Sequence, residues 1–396
     1  AIFYFKNRSR CIRRVIRCQR LSFPCSQNWQ LNPNMVHSAA YLSYLKHPFA
    51  TCAPRTITRT GTRKAAVLRA SFTSMESSAL LTVPSKSNSW DWKFNDQSVK
   101  IYYEEHGTTS FPFKKILMLP TISSVSSVEE WRTVAKDIVQ QPGTVNWHVT
   151  IVDWPGLGSS DTPKLDYNVD VMEKFLADFI NASNDPQSQS EHGLVIVGGG
   201  HAATIVIRAA KKGLFRPTAI AAVAPTWAGP FPILFGRNSS MEFVYGLFRG
   251  TLRSPAIGWM VYKILVSNAV RIDSQYKSHV YADASNVTPD VVARKYNLTT
   301  KAGARYAPAA FLTGLMDPVK SREELLELIA ALKDVVVPVL VVSSQGSPSR
   351  SKAEMKALQG AKGVDNFVEV PGALLPHEEY PAAVAKELYK FLVHYC

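Results

Sequence analysis

The sequence predicts an α/β fold: a mostly parallel central sheet flanked by helices, with a helical cap inserted late in the chain. Three observations lead there. Strand-length apolar runs alternate with amphipathic helical stretches from about residue 95 onward, the pattern of a parallel sheet covered on both faces. A β-branched run, Leu194–Val197, breaks at Gly198-Gly199-Gly200 and restarts at His201 as a small-faced helix carrying Ala202, Ala203, Ile205, Val206 and Ala209. Between Trp227 and Leu312 the alternation stops, and helices rich in Tyr, Trp and Arg take its place.

The elements follow in order. Val99–Glu104 and Ile116–Leu119 read as strands, and Val128–Val139 as a helix. His148–Asp153 is a buried strand that ends in the turn Asp153-Trp154-Pro155-Gly156-Leu157-Gly158-Ser159-Ser160-Asp161. A helix over Val169–Ile180, a polar connector over Ser183–His192 and the glycine break come next, then a strand over Thr218–Ala224. Beyond the cap, the pattern predicts a helix at Glu323–Leu332, strands at Val335–Val342 and Asn366–Val370, and a closing amphipathic helix at Ala382–Val393. The core therefore spans residues 95–226 and 313–396, and the cap residues 227–312.

Charge separates the N-terminus from this body. The first 75 residues hold 13 Lys and Arg and no acid, leaving 32 basic against 31 acidic residues in the remainder. The basic excess thus belongs to a leader, and a nucleic-acid-binding stripe on the folded part is not expected. Residues 35–75 are rich in Ser and Thr, carry Arg55, Arg59, Arg63, Lys64 and Arg69, and have the composition of a transit peptide, most like a chloroplast one. Residues 1–34 read as an upstream or unstructured leader, with Met35 the expected start, and 76–94 as a Ser-rich linker. Cys11, Cys18, Cys25 and Cys52 all fall in the leader, so neither a disulfide framework nor a cysteine metal site is expected in the body. No apolar run reaches the length of a membrane span.

The glycine break has two readings. Gly198, Gly200 and Ala203 fit a dinucleotide fingerprint, whose glycines let a pyrophosphate approach a helix N-terminus. That fingerprint also needs a carboxylate about 20 residues on for the ribose, and residues 193–241 contain no Asp or Glu. In the second reading the break is a nucleophile elbow, a tight strand-to-helix turn whose central side chain projects upward and whose next backbone N–H donates to an oxyanion. Gly200 then occupies the central position.

Four stretches together resemble the α/β-hydrolase superfamily, in its capped esterase, dehalogenase and perhydrolase-like branch: Ile116–Trp131, the Asp153–Gly158 turn, the elbow, and Pro371-Gly372-Ala373-Leu374-Leu375-Pro376-His377-Glu378-Glu379. The resemblance covers residues 95–394. It implies a serine or aspartate nucleophile at the elbow, an acid after a late strand just before a proline, and a histidine before the last helix, the histidine taking the proton and the acid orienting its ring. Carried onto this chain, those stations fall on Gly200, on Ser347 before Pro348, and on Leu374. None of the three can attack, orient or shuttle a proton in the family's way. The second oxyanion donor falls near Ile122, after Pro120-Thr121, and Asp153 and Asp161 are assigned to holding their own turn.

The function expected is therefore that of a plastid α/β-hydrolase-fold protein without Ser-His-Asp hydrolysis, binding a small apolar molecule or a protein partner. The alternative is a hydrolase, lyase or cofactor-free oxygenase with other chemistry near His201 or His377. His377 corresponds to the second, non-catalytic histidine of the family's run and reads as a cap or loop hydrogen-bonder, and His201 as a residue packed at its helix start. Thr121, Ile122, Gly199, Gly200, His201, Trp227 and His377 are the candidate pocket residues. No metal-ligand spacing and no phosphate loop occurs, so no metal or cofactor is expected.

Overall fold

The computed structural model describes residues 85–108, 113–143, 145–183 and 193–395. The leader, the transit segment and the first half of the expected linker lie outside these residues. The second half of that linker is a strand, β1 (Ser85–Phe94), which corrects the sequence reading. Trp90, Trp92 and Phe94 alternate along it and give it one apolar face, with Trp92 buried. It returns as β2 (Gln97–Gly107) through Asn95-Asp96, both at positive φ (47° and 59°), the twist that a two-residue hairpin loop requires.

The sheet continues through β3 (Phe113–Leu119), β4 (Asn146–Val152), β5 (Leu194–Gly199), β6 (Ala219–Val223), β7 (Val339–Ser344) and β8 (Asn366–Val370), in the spatial order β1-β2-β4-β3-β5-β6-β7-β8. Only β2 runs against its neighbours, and the pairs from β4 to β8 are parallel. Helices α1 (Arg132–Val139), α2 (Val169–Ser183) and α3 (His201–Lys211) alternate with the strands. The cap follows β6: α4 (Pro230–Phe235), α5 (Ser239–Arg253), α6 (Ala256–Leu265), α7 (Ala269–Gln275), which runs on into one π turn at Tyr276–Val280, α8 (Pro289–Thr299) and α9 (Tyr306–Leu312). The chain then rejoins the sheet through α10 (Arg322–Asp334), α11 (Ser349–Lys356), α12 (Pro376–Glu379) and α13 (Pro381–Tyr395).

Two cores result. Phe175, Val206, Leu325 and Ile329 of α2, α3 and α10 pack one face of the sheet, and Trp131, Ile138, Leu388 and Phe391 pack the other. Central strands are apolar on every residue because helices cover both sides: β5, β6 and β7 are buried almost throughout. Two boundaries differ from expectation. The stretch 128–139 splits into a 3-10 turn, Val128–Glu130, capped by Ser127, and then α1. The strand expected from Val335 starts at Val339, because Val335 ends α10, Val336 takes φ 57° and Pro338 cannot donate to a ladder.

Candidate functional site

Gly200 lies where β5 meets α3, at the C-terminal edge of the sheet's central strands, with φ 52° and ψ −124°. A side chain there would be strained, and glycine is not. The other two glycines answer to contact. A Cβ on Gly198 would sit 2.6 Å from the Ala203 backbone nitrogen, so this glycine lets the helix close on the strand. A Cβ on Gly199 would sit 2.9 Å from the Thr121 methyl and 3.0 Å from Cε1 of His377. The face beside Gly199 is thus occupied by Thr121 and His377. Above Gly200 itself, the Thr121 methyl and the Thr226 hydroxyl would lie 3.2 and 3.4 Å from a Cβ.

Two imidazole–carboxylate pairs flank the elbow. In the first, His377 lies flat on Trp131, ring centroids 4.0 Å apart, and its Nε2 meets Glu130 Oε2 at 3.3 Å. Both side chains are buried. Glu130 also accepts the Thr121 N–H at 2.8 Å and the Thr121 hydroxyl at 3.0 Å, while Ser126 lies 2.7 Å from that hydroxyl. Burial works against the Glu130 charge, but the His377 hydrogen bond and the Lys295 cation hold its carboxyl below the usual carboxylate range. Lys295, itself buried, pairs with Glu378 at 2.7 Å. The Nδ1 of His377 has no partner among the described residues.

The second pair lies on the cap side. His201 is the first residue of α3, its Nδ1 2.7 Å from the Thr226 hydroxyl and its Nε2 3.3 Å from Asp317 Oδ1. Asp317 is buried, accepts the Gly229 N–H at 2.8 Å and is paired by Arg237. Phe311 closes the edge of the His201 ring at 5.1 Å. A hydroxyl, an imidazole and a carboxylate are therefore in line, the order of a hydrolytic triad, with Thr226 and not an elbow side chain supplying the hydroxyl. The His201 backbone N–H, at the first turn of α3, has no acceptor within its own helix.

The remaining candidate residues make these contacts. Ser347 follows β7, is buried, and shares a 2.5 Å hydrogen bond with Ser344. The Leu374 N–H donates to the Val280 carbonyl in the π turn of the cap. Ile122 and Trp227 are packed into the larger core. Asp153 accepts the N–H groups of Val128 at 2.7 Å and Ser159 at 2.6 Å, and Asp161 that of Lys100 at 2.9 Å, so both carboxylates tie the turn after β4. Burial pushes the Asp153 carboxyl up to about 7 despite those two donors.

Glu130, Thr226 and Asp317 escaped the sequence reading. Glu130 carried no signal, since its partner His377 is 247 residues away. Asp317 did carry one: it directly precedes Pro318, the acid-proline pair sought after the late strand. Among the described residues no three His, Cys, Asp or Glu side chains are grouped to hold a metal ion. Two grooves, of about 270 and 350 Å³, lie elsewhere, one between Gln140 and Tyr389 and one around Lys115, His148 and Leu194, at the strand ends opposite the elbow.

Comparison with known proteins agrees with this architecture. The profile of the alpha/beta hydrolase family matches residues 123–387. Among solved structures the chain is similar to the haloalkane dehalogenase DatA of Agrobacterium tumefaciens C58, with 15% identity over 78% of this chain and 97% of that one and a TM-score of 0.54. It is also similar to an esterase of Thermogutta terrifontis, with 17% identity, 78% and 98% coverage and a TM-score of 0.52. A serine hydrolase involved in carbazole degradation, CarC, gives 17% identity, 78% and 100% coverage and a TM-score of 0.51. At such identities the likeness is one of fold. No curated protein sequence matches the chain. With a profile match over more than half its length, the elbow between β5 and α3 and the sheet order of the fold, the chain belongs to the alpha/beta hydrolase family.

Proposed function

We propose that this chain is a non-hydrolytic member of its family, carried to the chloroplast stroma, that works by binding a small apolar molecule or a protein partner. The observation that carries this reading is the glycine at the elbow. Gly200 offers no side chain to attack, and Ser347 and Leu374 stand at the other two stations. In this family covalent hydrolysis uses an attacking group at the elbow beside an imidazole. Here the elbow has none: His377 lies on Trp131 with its Nε2 at Glu130, and the hydroxyl beside His201 is that of Thr226, outside the elbow.

A fluorophosphonate probe is expected to leave the native chain unlabelled, and Gly200→Ser to remain unlabelled as well. That substitution forces a side chain into positive φ and should lower stability by about 1–3 kcal/mol in urea unfolding. Stoichiometric labelling of the native chain, lost on heating, would sink the proposal.

The line Thr226–His201–Asp317 supports a second reading, in which the hydroxyl or an imidazole serves other acid–base chemistry. Turnover of an ester or thioester panel that disappears in Thr226→Ala, or on Ala at His201 or His377, would replace the first reading with this one. The plastid address rests on the acid-free, Ser- and Thr-rich residues 35–75. Fused ahead of a fluorescent protein, residues 1–75 should carry it into chloroplasts, and a cytosolic or mitochondrial signal would overturn that assignment.

A further inference from the structure

Helices α5 and α6 of the cap bury one side and leave the other bare. Leu252 of α5 and Tyr262 of α6 meet Ala304 and Ala309 in one small core, with Phe248 and Trp259 packed beside them. Both inner faces therefore point to the same cluster, and both outer faces point away from it. At about 100° per residue, Ser240, Phe243, Val244, Leu247, Gly250 and Thr251 fall on one outer stripe of α5, and Ile257, Met260 and Ile264 on that of α6. Phe243 is 76% exposed, Leu247 65%, Ile257 59%, Met260 57% and Ile264 55%. Neither stripe carries a charge. A soluble surface scatters such side chains singly, whereas here they are contiguous along two packed helices.

The charges of this part of the cap are mostly positive. Residues 230–280 hold six Lys and Arg against Glu242 and Asp273, while the chain beyond residue 75 is almost neutral. Lys263, about 60° round α6 from Met260, and Arg271 have no ion pair among the described residues, nor has Arg249, which lies on the inner side of α5; Arg237, Arg253 and Lys277 are paired. An uncharged stripe of Phe, Leu, Ile and Met with the unpaired Lys263 at its edge has the chemistry of an interfacial helix, whose apolar face enters the headgroup and acyl boundary while Lys and Arg meet anionic lipids.

We propose that the outer face of α5 and α6 docks this protein on an anionic lipid surface, peripherally and without spanning it. This goes beyond the binding reading of the elbow and does not rest on it. The test is flotation of the full chain with vesicles of phosphatidylcholine and phosphatidylglycerol in a two-to-one ratio, beside vesicles of phosphatidylcholine alone. The native chain should float with the anionic vesicles, and the double variant Leu247→Asp, Ile264→Asp should lose roughly tenfold or more of that partition. Both positions are exposed, so the thermal midpoint should stay put; Phe243→Ser with Met260→Ser is a milder variant that should act in the same direction. The basic first 75 residues also attract anionic lipid, which is why the variant decides. Flotation unchanged by the double substitution would assign binding to that segment and overturn the proposal. So would a native chain that stays with the soluble fraction. A dimer in light scattering that the double variant converts to monomer would give the face to a second copy and equally overturn the proposal. Labelling at the elbow, the test of the functional reading, is indifferent to all of these outcomes.

Discussion

Replacing Glu130 by Leu is expected to remove about 3–5 kcal/mol of stability, because three buried donors lose their acceptor in one step. The Thr121 N–H and hydroxyl and the Nε2 of His377 all converge on this carboxylate, which has almost no contact with water. Lys295 would be left with Glu378 alone as its countercharge. In urea unfolding the midpoint should fall with an unchanged slope, and thermal unfolding should come on the order of 10 °C earlier. Adding His377→Leu to Glu130→Leu should add much less than His377→Leu does in the native background, the mark of two residues acting as one unit. A loss under about 1 kcal/mol for Glu130→Leu would mean that the pair does not hold the loop after β3 against the elbow.

Asp317→Leu is expected to act as strongly, about 3–5 kcal/mol, and to loosen the cap as well. This one carboxylate accepts from Gly229 and Arg237 at the entrance to the cap and meets His201 at the start of α3. Removing it leaves a cation and an imidazole facing an apolar group and frees the first turn of α4. Limited proteolysis should therefore cut within residues 230–265 earlier than in the native chain, while Asp317→Asn, which keeps one acceptor oxygen, should be cut at an intermediate rate. Equal cutting rates in all three would show that Asp317 does not tie the cap to the elbow helix.

Much of the fold was legible because burial writes itself locally. The apolar runs of β3 to β8 and the amphipathic periods of α2, α10 and α13 are visible in any window of a dozen residues. β1 was obscured by its Ser-rich start, although the alternation Trp90, Trp92, Phe94 was there to be read. The Val335–Pro338 stretch looked like strand because Val is β-prone, and the end of α10 overrode that preference. At the site, Gly200, Ser347 and Leu374 could be placed from the resemblance of the motifs around them, whereas the environments of His201 and His377 could not. Those two rings have their meaning in Thr226, Asp317, Glu130 and Trp131, up to 247 residues away along the chain.

What the sequence determined by itself was most of the elements, their mostly parallel order and a glycine at the centre of the strand-to-helix turn, since each follows from side-chain type over a short span. The tertiary structure alone decided that Thr121 and Thr226 close on that glycine and that the two imidazoles beside it are held by carboxylates. It also decided which sides of the cap helices remain bare. Contact, enclosure and hydrogen-bond partnership are properties of atoms brought together from distant parts of the chain, and no local pattern of residues encodes them.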